Sequence, residues 1–201
     1  SIDEYSPDGR HDCRPEYPTI VYSQILKKLY PDIPVILGGI EASMRRLTHY
    51  DYWQDKLLRC ILCDSGADMI LYGSGTKSII QISQNIESGM SINDMHNIPQ
   101  TVYLAKEDDI YGGIKDDDIV LHSHEECLAN KKAEAENYRH IEEESNKIHA
   151  QRLLQQTGKV YSVVNPPYPT MTTEELDASF DLPYTRLPHP KYTGKKIPAF
   201  E

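Results

Sequence analysis

The 201-residue chain is long enough for one domain with or without appendages, and its 39% apolar content supplies a core with little surplus. A formal net charge of −10 excludes a surface of clustered Lys/Arg for nucleic acid, and no run approaches the roughly 18 apolar residues of a membrane span or the pattern of a signal peptide. Four cysteines, Cys13, Cys60, Cys63 and Cys127, do not form a small secreted disulfide framework, so the expected setting is a reducing, cytoplasmic one.

Residues 1–18 mix Asp, Gly, Pro and Tyr without periodicity and read as loop. From Pro18 a helical pattern runs through Ile20, Val21, Ile25, Leu26 and Leu29, with Pro31 as a stop. Ile33 to Leu37 reads as a buried strand ending at Gly38-Gly39. A short helix is predicted over Glu41–Leu47, then an aromatic stretch, His49-Tyr-Asp-Tyr-Trp53, then a helix over Asp55–Leu62 and a turn at Asp64-Ser-Gly66. Asp68–Tyr72 is a second strand ending at Gly73-Ser-Gly75, and Thr76–Ile86 a further helix with Ile79, Ile82 and Ile86 on one face and Gly89 just past its end. Thr101–Leu104 reads as a last strand of this part.

Charge changes abruptly next. Residues 106–148 carry six basic and thirteen acidic side chains, a net of −7. Residues 106–120 read as a loop around Gly112-Gly113, and 123–156 as one or two long polar helices with few apolar anchors, which need another surface to lie on. Val160–Val164 is a strand closed by Asn165-Pro-Pro. Thr172 or Thr173 with Glu174-Glu175 can cap a short helix to about Phe180, after which the chain is Pro-rich and extended.

Two strands thus end in glycine turns that open helices, Leu37-Gly-Gly-Ile-Glu41 and Tyr72-Gly-Ser-Gly-Thr76. At the carboxyl edge of a parallel sheet such turns allow close approach of a phosphate-bearing or planar cofactor. They serve equally well as tight strand-to-helix turns, since neither is a full dinucleotide fingerprint or P-loop. Arg45 and Arg46 could hold a phosphate or carboxylate, or pair with Asp51 or Asp55. His49, Tyr50, Tyr52 and Trp53 read either as a substrate-facing or docking patch or as loop packing. Cys60-Ile-Leu-Cys63 has C-x-x-C spacing, but in an apolar run and with no second pair, so buried inert thiols are expected rather than a zinc or redox site. His122-Ser-His-Glu-Glu-Cys127 offers metal-ligand residue types, although its acidic surroundings favour a solvated helix start. No metal site is expected.

Longer strings carry a resemblance. Val35-Ile-Leu-Gly-Gly-Ile-Glu-Ala-Ser-Met-Arg-Arg46, His49 to Trp53, Asp64-Ser-Gly-Ala-Asp68 and the Gly73 turn are similar to the YgiQ-type radical SAM family. So are Asn165-Pro-Pro, Glu174-Glu-Leu-Asp177, Leu182-Pro-Tyr184, His189-Pro190 and Ile197-Pro-Ala199. The resemblance implies an accessory region preceding a barrel that holds a [4Fe–4S] cluster and S-adenosylmethionine, with the cluster loop placed after Glu201 and the fragment inactive alone. It also implies an α/β fold: a partial Rossmann-like, cobalamin-binding-like parallel sheet over 1–105, a variable acidic loop and helical arm over 106–158, and a lead-in to the barrel over 159–201. Cobalamin is then a candidate ligand, with Gly38, Gly39, Glu41, Gly73, Ser74 and Gly75 as cofactor contacts. Thr76 stands where such proteins carry Glu, and their Asp-x-His-x-x-Gly motif would lie upstream of residue 1. The expected partner is the chain's own barrel, and the isolated fragment is expected to self-associate. The rival readings are an interaction module with an acidic helical arm and a stand-alone nucleotide-binding enzyme.

Overall fold

The computed structural model describes residues 4–13 and 15–200; the loop reading at 1–3 and 14 lies outside them. The chain divides into two compact units, residues 19–170 and a smaller one made of the described residues up to 18 with 171–200.

The larger unit is built on one six-stranded sheet. Helix α1 (Pro18–Leu29) leads into β1 (Ile36–Leu37), and α2 (Gly39–Met44) starts at the first glycine turn. A small antiparallel pair follows, β2 (His49–Asp51) and β3 (Lys56–Leu58), then α3 (Ile61–Ser65), β4 (Met69–Leu71) and α4 (Thr76–Glu87). β5 (Thr101–Ala105), β6 (Ile119–Leu121), α5 (His124–Ala129), α6 (Lys131–Ser145), β7 (Leu153–Thr157) and β8 (Val160–Val164) complete it. The order across the sheet is β1-β4-β5-β8-β7-β6.

The α/β class is as the sequence reads, but the sheet is mixed rather than parallel. β1 with β4 and β6 with β7 are parallel, while β5 meets both β4 and β8 antiparallel and β8 meets β7 antiparallel. Strands from both sides of residue 105 therefore share one layer. β4 is buried at all three positions, which fits a strand covered on both faces. The parallel β1–β4 step is fixed by Asp68, whose carboxylate accepts the Val35 N–H at 2.7 Å and pairs with Lys27 of α1 at 2.6 Å.

Three local expectations are corrected. Asp55–Leu62 is not a helix: Asp51 accepts the Gln54 N–H at 2.9 Å and Asp55 takes a positive φ of 51°, so the chain turns back into β3 before α3 begins. Residues 119–120, read as the end of a loop, lie in β6. The last turn of the predicted polar helix, 153–156, lies in the strand β7. Its Leu-Leu-Gln-Gln-Thr sequence has little intrinsic strand preference, but it is paired on both sides, and a two-residue turn with Gly158 at φ 59° joins it to β8. The helical arm is real as α5 and α6, broken at Asn130, whose side chain accepts the Lys132 N–H. It is not free of the sheet, since Asn137 of α6 accepts the His122 N–H at 2.9 Å and donates to the His122 carbonyl at 2.9 Å, tying α6 to the end of β6.

In the smaller unit α7 (Thr173–Phe180) is closed by the capping box predicted for it, with Thr172 and Glu175 exchanging bonds to each other's backbone N–H. The proline-rich tail runs alongside the N-terminal segment: the Asp8 N–H donates to Lys196 O at 2.8 Å and the Ala199 N–H to Glu4 O at 2.9 Å.

Candidate functional site

Because β1 and β4 are parallel neighbours, with Leu37 opposite Ile70, both glycine turns emerge at the same sheet edge. Antiparallel pairing brings the start of β5, the start of β7 and the end of β8 to that edge as well. The turns are linked through one side chain. The Gly73 N–H donates to Ser43 Oγ at 3.0 Å, and Ser43 Oγ donates to Gly39 O at 2.8 Å.

The glycines are largely accounted for by their own geometry. Gly39 and Gly73 have φ of 79° and 63°, which an L side chain adopts only with strain. A Cβ on Gly75 would lie 3.0 Å from Leu71 Cβ, and one on Gly73 would lie 3.0 Å from Gln100 Nε2. Gly38 is extended and caps α2. Glu41 accepts the Thr19 hydroxyl and pairs with Arg45 at 3.5 Å. Ser74 precedes α4, its carbonyl taking the Thr76 N–H at 2.8 Å. Backbone conformation and close packing thus account for Gly39, Gly73 and Gly75 as turn residues, and Gly39 leaves open room beside it.

The remaining predicted residues converge on two adjoining clefts. One, of about 590 Å³, is walled by Met44–Trp53 on one side and by Glu134, Tyr138, Ile141 and Glu142 of α6 on the other. The second, of about 320 Å³, lies beside Gly73, Gln100 and Asn165. Arg46 lines both. Its Nη1 donates to Ser43 O at 2.5 Å and its guanidinium lies 5.1 Å from the centre of the Tyr72 ring. Arg45 is occupied otherwise, between Glu41 and the buried Asp51 at 3.4 Å. His49 shares a hydrogen bond with Leu47 O at 3.0 Å, and burial, helped by Arg45, pulls its pKa down. Tyr50, Tyr52 and Trp53 stand out at the cleft mouth, Trp53 84% exposed and stacked edge-to-face on Tyr52 at 5.6 Å.

One residue that completes this edge, Gln100, stands in none of the strings read from the sequence. Gln100 donates its amide to Tyr72 O at 2.8 Å, and Tyr72 donates its hydroxyl to Asn165 O at 2.6 Å. Ser43, Tyr72 and Asn165 do stand in such strings, Asn165 in Asn-Pro-Pro, but nothing in the strings pairs them. Asn165 donates to His96 O, Ile98 O and Thr101 Oγ1, which fixes the end of β8 against the start of β5.

A radical SAM cluster takes its ligands from cysteine thiolates. Cys60 and Cys63 share a single turn, with Cys60 buried. The hydrogen bond between their thiols, together with burial, holds Cys60 well up, while as acceptor of that bond Cys63 is lowered. Cys127 sits elsewhere, with the Asn137 amide 3.2 Å from its sulfur; burial and Glu134 push its pKa up to about 12. His122 bonds Glu136 at 2.8 Å and His124 lies 3.0 Å from Thr48 Oγ1, so the histidines diverge. Among the described residues no group of three His, Cys, Asp or Glu side chains is placed to hold a metal ion, and no helix is long and apolar enough to cross a membrane. These residues do not fit a [4Fe–4S] cluster.

The family model described as "Radical SAM N-terminal" matches residues 1–201. The chain belongs to the radical SAM N-terminal family. It is 58% identical over 212 residues to a UPF0313 protein of Bacteroides thetaiotaomicron, covering 100% of this chain and 34% of the relative. A UPF0313 protein of Porphyromonas gingivalis is 54% identical, with 100% and 32% covered, and one of Clostridium botulinum (strain Okra) 42%, with 99% and 30%. The chain thus spans about a third of the length of these curated relatives. No solved structure matches it. For the full-length radical SAM protein the family implies a [4Fe–4S] cluster and S-adenosylmethionine.

Proposed function

We propose that this radical SAM N-terminal region is the accessory part of a radical SAM enzyme, and that its Gly38–Trp53 edge faces the barrel and contributes contacts to substrate or cofactor. The cluster and S-adenosylmethionine belong, in this reading, to the remainder of the full-length protein, which supplies the radical. The observation that carries it is the exposed Tyr50, Tyr52 and Trp53 rim standing over a cleft with two arginines beneath. Large exposed aromatics around a concave site mark surfaces that meet a ligand or another domain. The acidic arm supports this reading over an independent interaction module, because α6 forms a wall of that same cleft.

Hydroxyl-radical footprinting of the full-length protein tests the orientation. Tyr52 and Trp53 should be modified much less than Tyr111, which is also exposed but lines neither of the two clefts. Equal modification of all three would remove the reading. Cobalamin is a poorer ligand for this edge: the cleft beside Gly73, at about 320 Å³, is near the lower limit for a drug-sized molecule, and the Gly73 N–H is already used. Titrating the full-length protein with cobalamin should leave the corrin absorption bands unshifted.

A further inference from the structure

Arg46 lines both clefts, as does Ser145, and its charge is handled differently from that of the other sunken cations. Lys27 pairs with Asp68, Arg45 with Glu41 and Asp51, and Arg152 with Asp118. Arg46 has only the Ser43 carbonyl and the Tyr72 ring face, and its buried Nε has no hydrogen-bond partner among the described residues. The carboxylate acting on it, Glu142, is exposed and forms no ion pair with it. A guanidinium stays charged under all ordinary conditions, and a charge withdrawn from water is costly unless an opposite charge meets it. Burial is the chief influence on Arg46, pulling its pKa down. A planar fork with unused donors, lining open space, is suited to an oxyanion.

Resting on the reading that this edge faces a ligand, we propose that Arg46 anchors an oxyanion, a carboxylate or phosphate ester, whose planar or apolar body lies in the larger cleft against Tyr52, Trp53 and Tyr138. The side chains divide the work. Tyr72 and Ser43 hold the guanidinium in place from below, and Arg45 is held away by its two acids. The aromatic rings supply sequence-tolerant stacking area for a ring system.

The test is a calorimetric titration of the full-length protein with three probes of one shape: 2-naphthoate, 2-naphthyl phosphate and the neutral 2-naphthamide. The wild type should bind at least one anionic probe about tenfold or more tighter than the amide, and whichever anion is preferred identifies the oxyanion. Arg46→Gln should erase that preference, Arg46→Lys should retain part of it, and Arg59→Gln, which removes an exposed arginine paired with Asp64, should leave it intact. Equal binding of anion and amide, or an unchanged preference in Arg46→Gln, overturns the proposal. So does an Arg46→Gln protein that melts lower while the wild type binds no probe, because the guanidinium would then be paired by a carboxylate from elsewhere in the full-length protein. Footprinting that still shows a shielded Tyr52 and Trp53 in that case would leave the barrel-facing reading standing.

Discussion

At the scale of the residue, the two glycine turns separate conformational need from ligand need. Gly39→Ala introduces a Cβ into open space at φ 79°, so it should cost only the left-handed penalty of about 1–2 kcal/mol. Gly73→Ala adds a 3.0 Å encounter with the Gln100 amide, which must release the Tyr72 carbonyl to make room, and should lose more. Urea unfolding of both variants checks the order; equal losses would mean that the Gln100 amide moves aside freely. From sequence the two turns look alike. Their difference comes from Gln100, 27 residues beyond Gly73, and no local pattern announces that contact.

At the scale of the element, two buried polar contacts decide where strands lie. Arg152, just before β7, donates to Asp118 at 2.5 and 2.9 Å and to the Tyr111 and Gly113 carbonyls, pinning the acidic loop against the sheet. Burial raises the Asp118 pKa, but the Arg152 hydrogen bonds, the Lys115 N–H and the positive charge outweigh it, and the carboxyl lies below its ordinary range. The folded form therefore binds fewer protons than the unfolded chain just below the ordinary aspartate value of about 3.9, and the stabilisation present above that value is lost as pH falls from it through the lower folded value. Melting temperatures measured from pH 7 to pH 3 should show this loss in the wild type and a flatter profile in Asp118→Asn. Asp118→Ala should cost about 3–5 kcal/mol at neutral pH by leaving Arg152 buried without its partner. Asn137→Ala should cost about 1–3 kcal/mol, since the His122 N–H loses its acceptor; denaturant unfolding would read it. A loss below a few tenths of a kcal/mol would mean that α6 is not fastened there. These contacts explain why residues 106–157 read as loop and arm. The sequence shows charge and few apolar anchors, whereas the packing of this stretch rests on specific polar pairs that have no period.

At the scale of the whole molecule, apolar surface remains uncovered. On α1 the residues Ile25, Leu26 and Leu29, which carry the helical pattern, are 44–63% exposed, and Tyr30 and Ile33 beyond it are also open. Contiguous apolar surface of this kind promotes association. Residues 1–201 in isolation should show concentration-dependent self-association in sedimentation velocity, and a single monomeric boundary at all concentrations would count against it. The sequence alone determined the α/β class, most helices, both glycine turns, the capping box of α7 and membership of the family, because these rest on local periodicity, turn chemistry and long distinctive strings. Only the tertiary structure decided that the sheet is mixed, that 119–121 and 153–157 are strands, and that Arg45 pairs with acids while Arg46 forms no ion pair among the described residues. Strand pairing and charge pairing are settled by neighbours distant in the chain, such as Asp118 for Arg152 and His122 for Asn137, and a residue's own sequence surroundings do not name them.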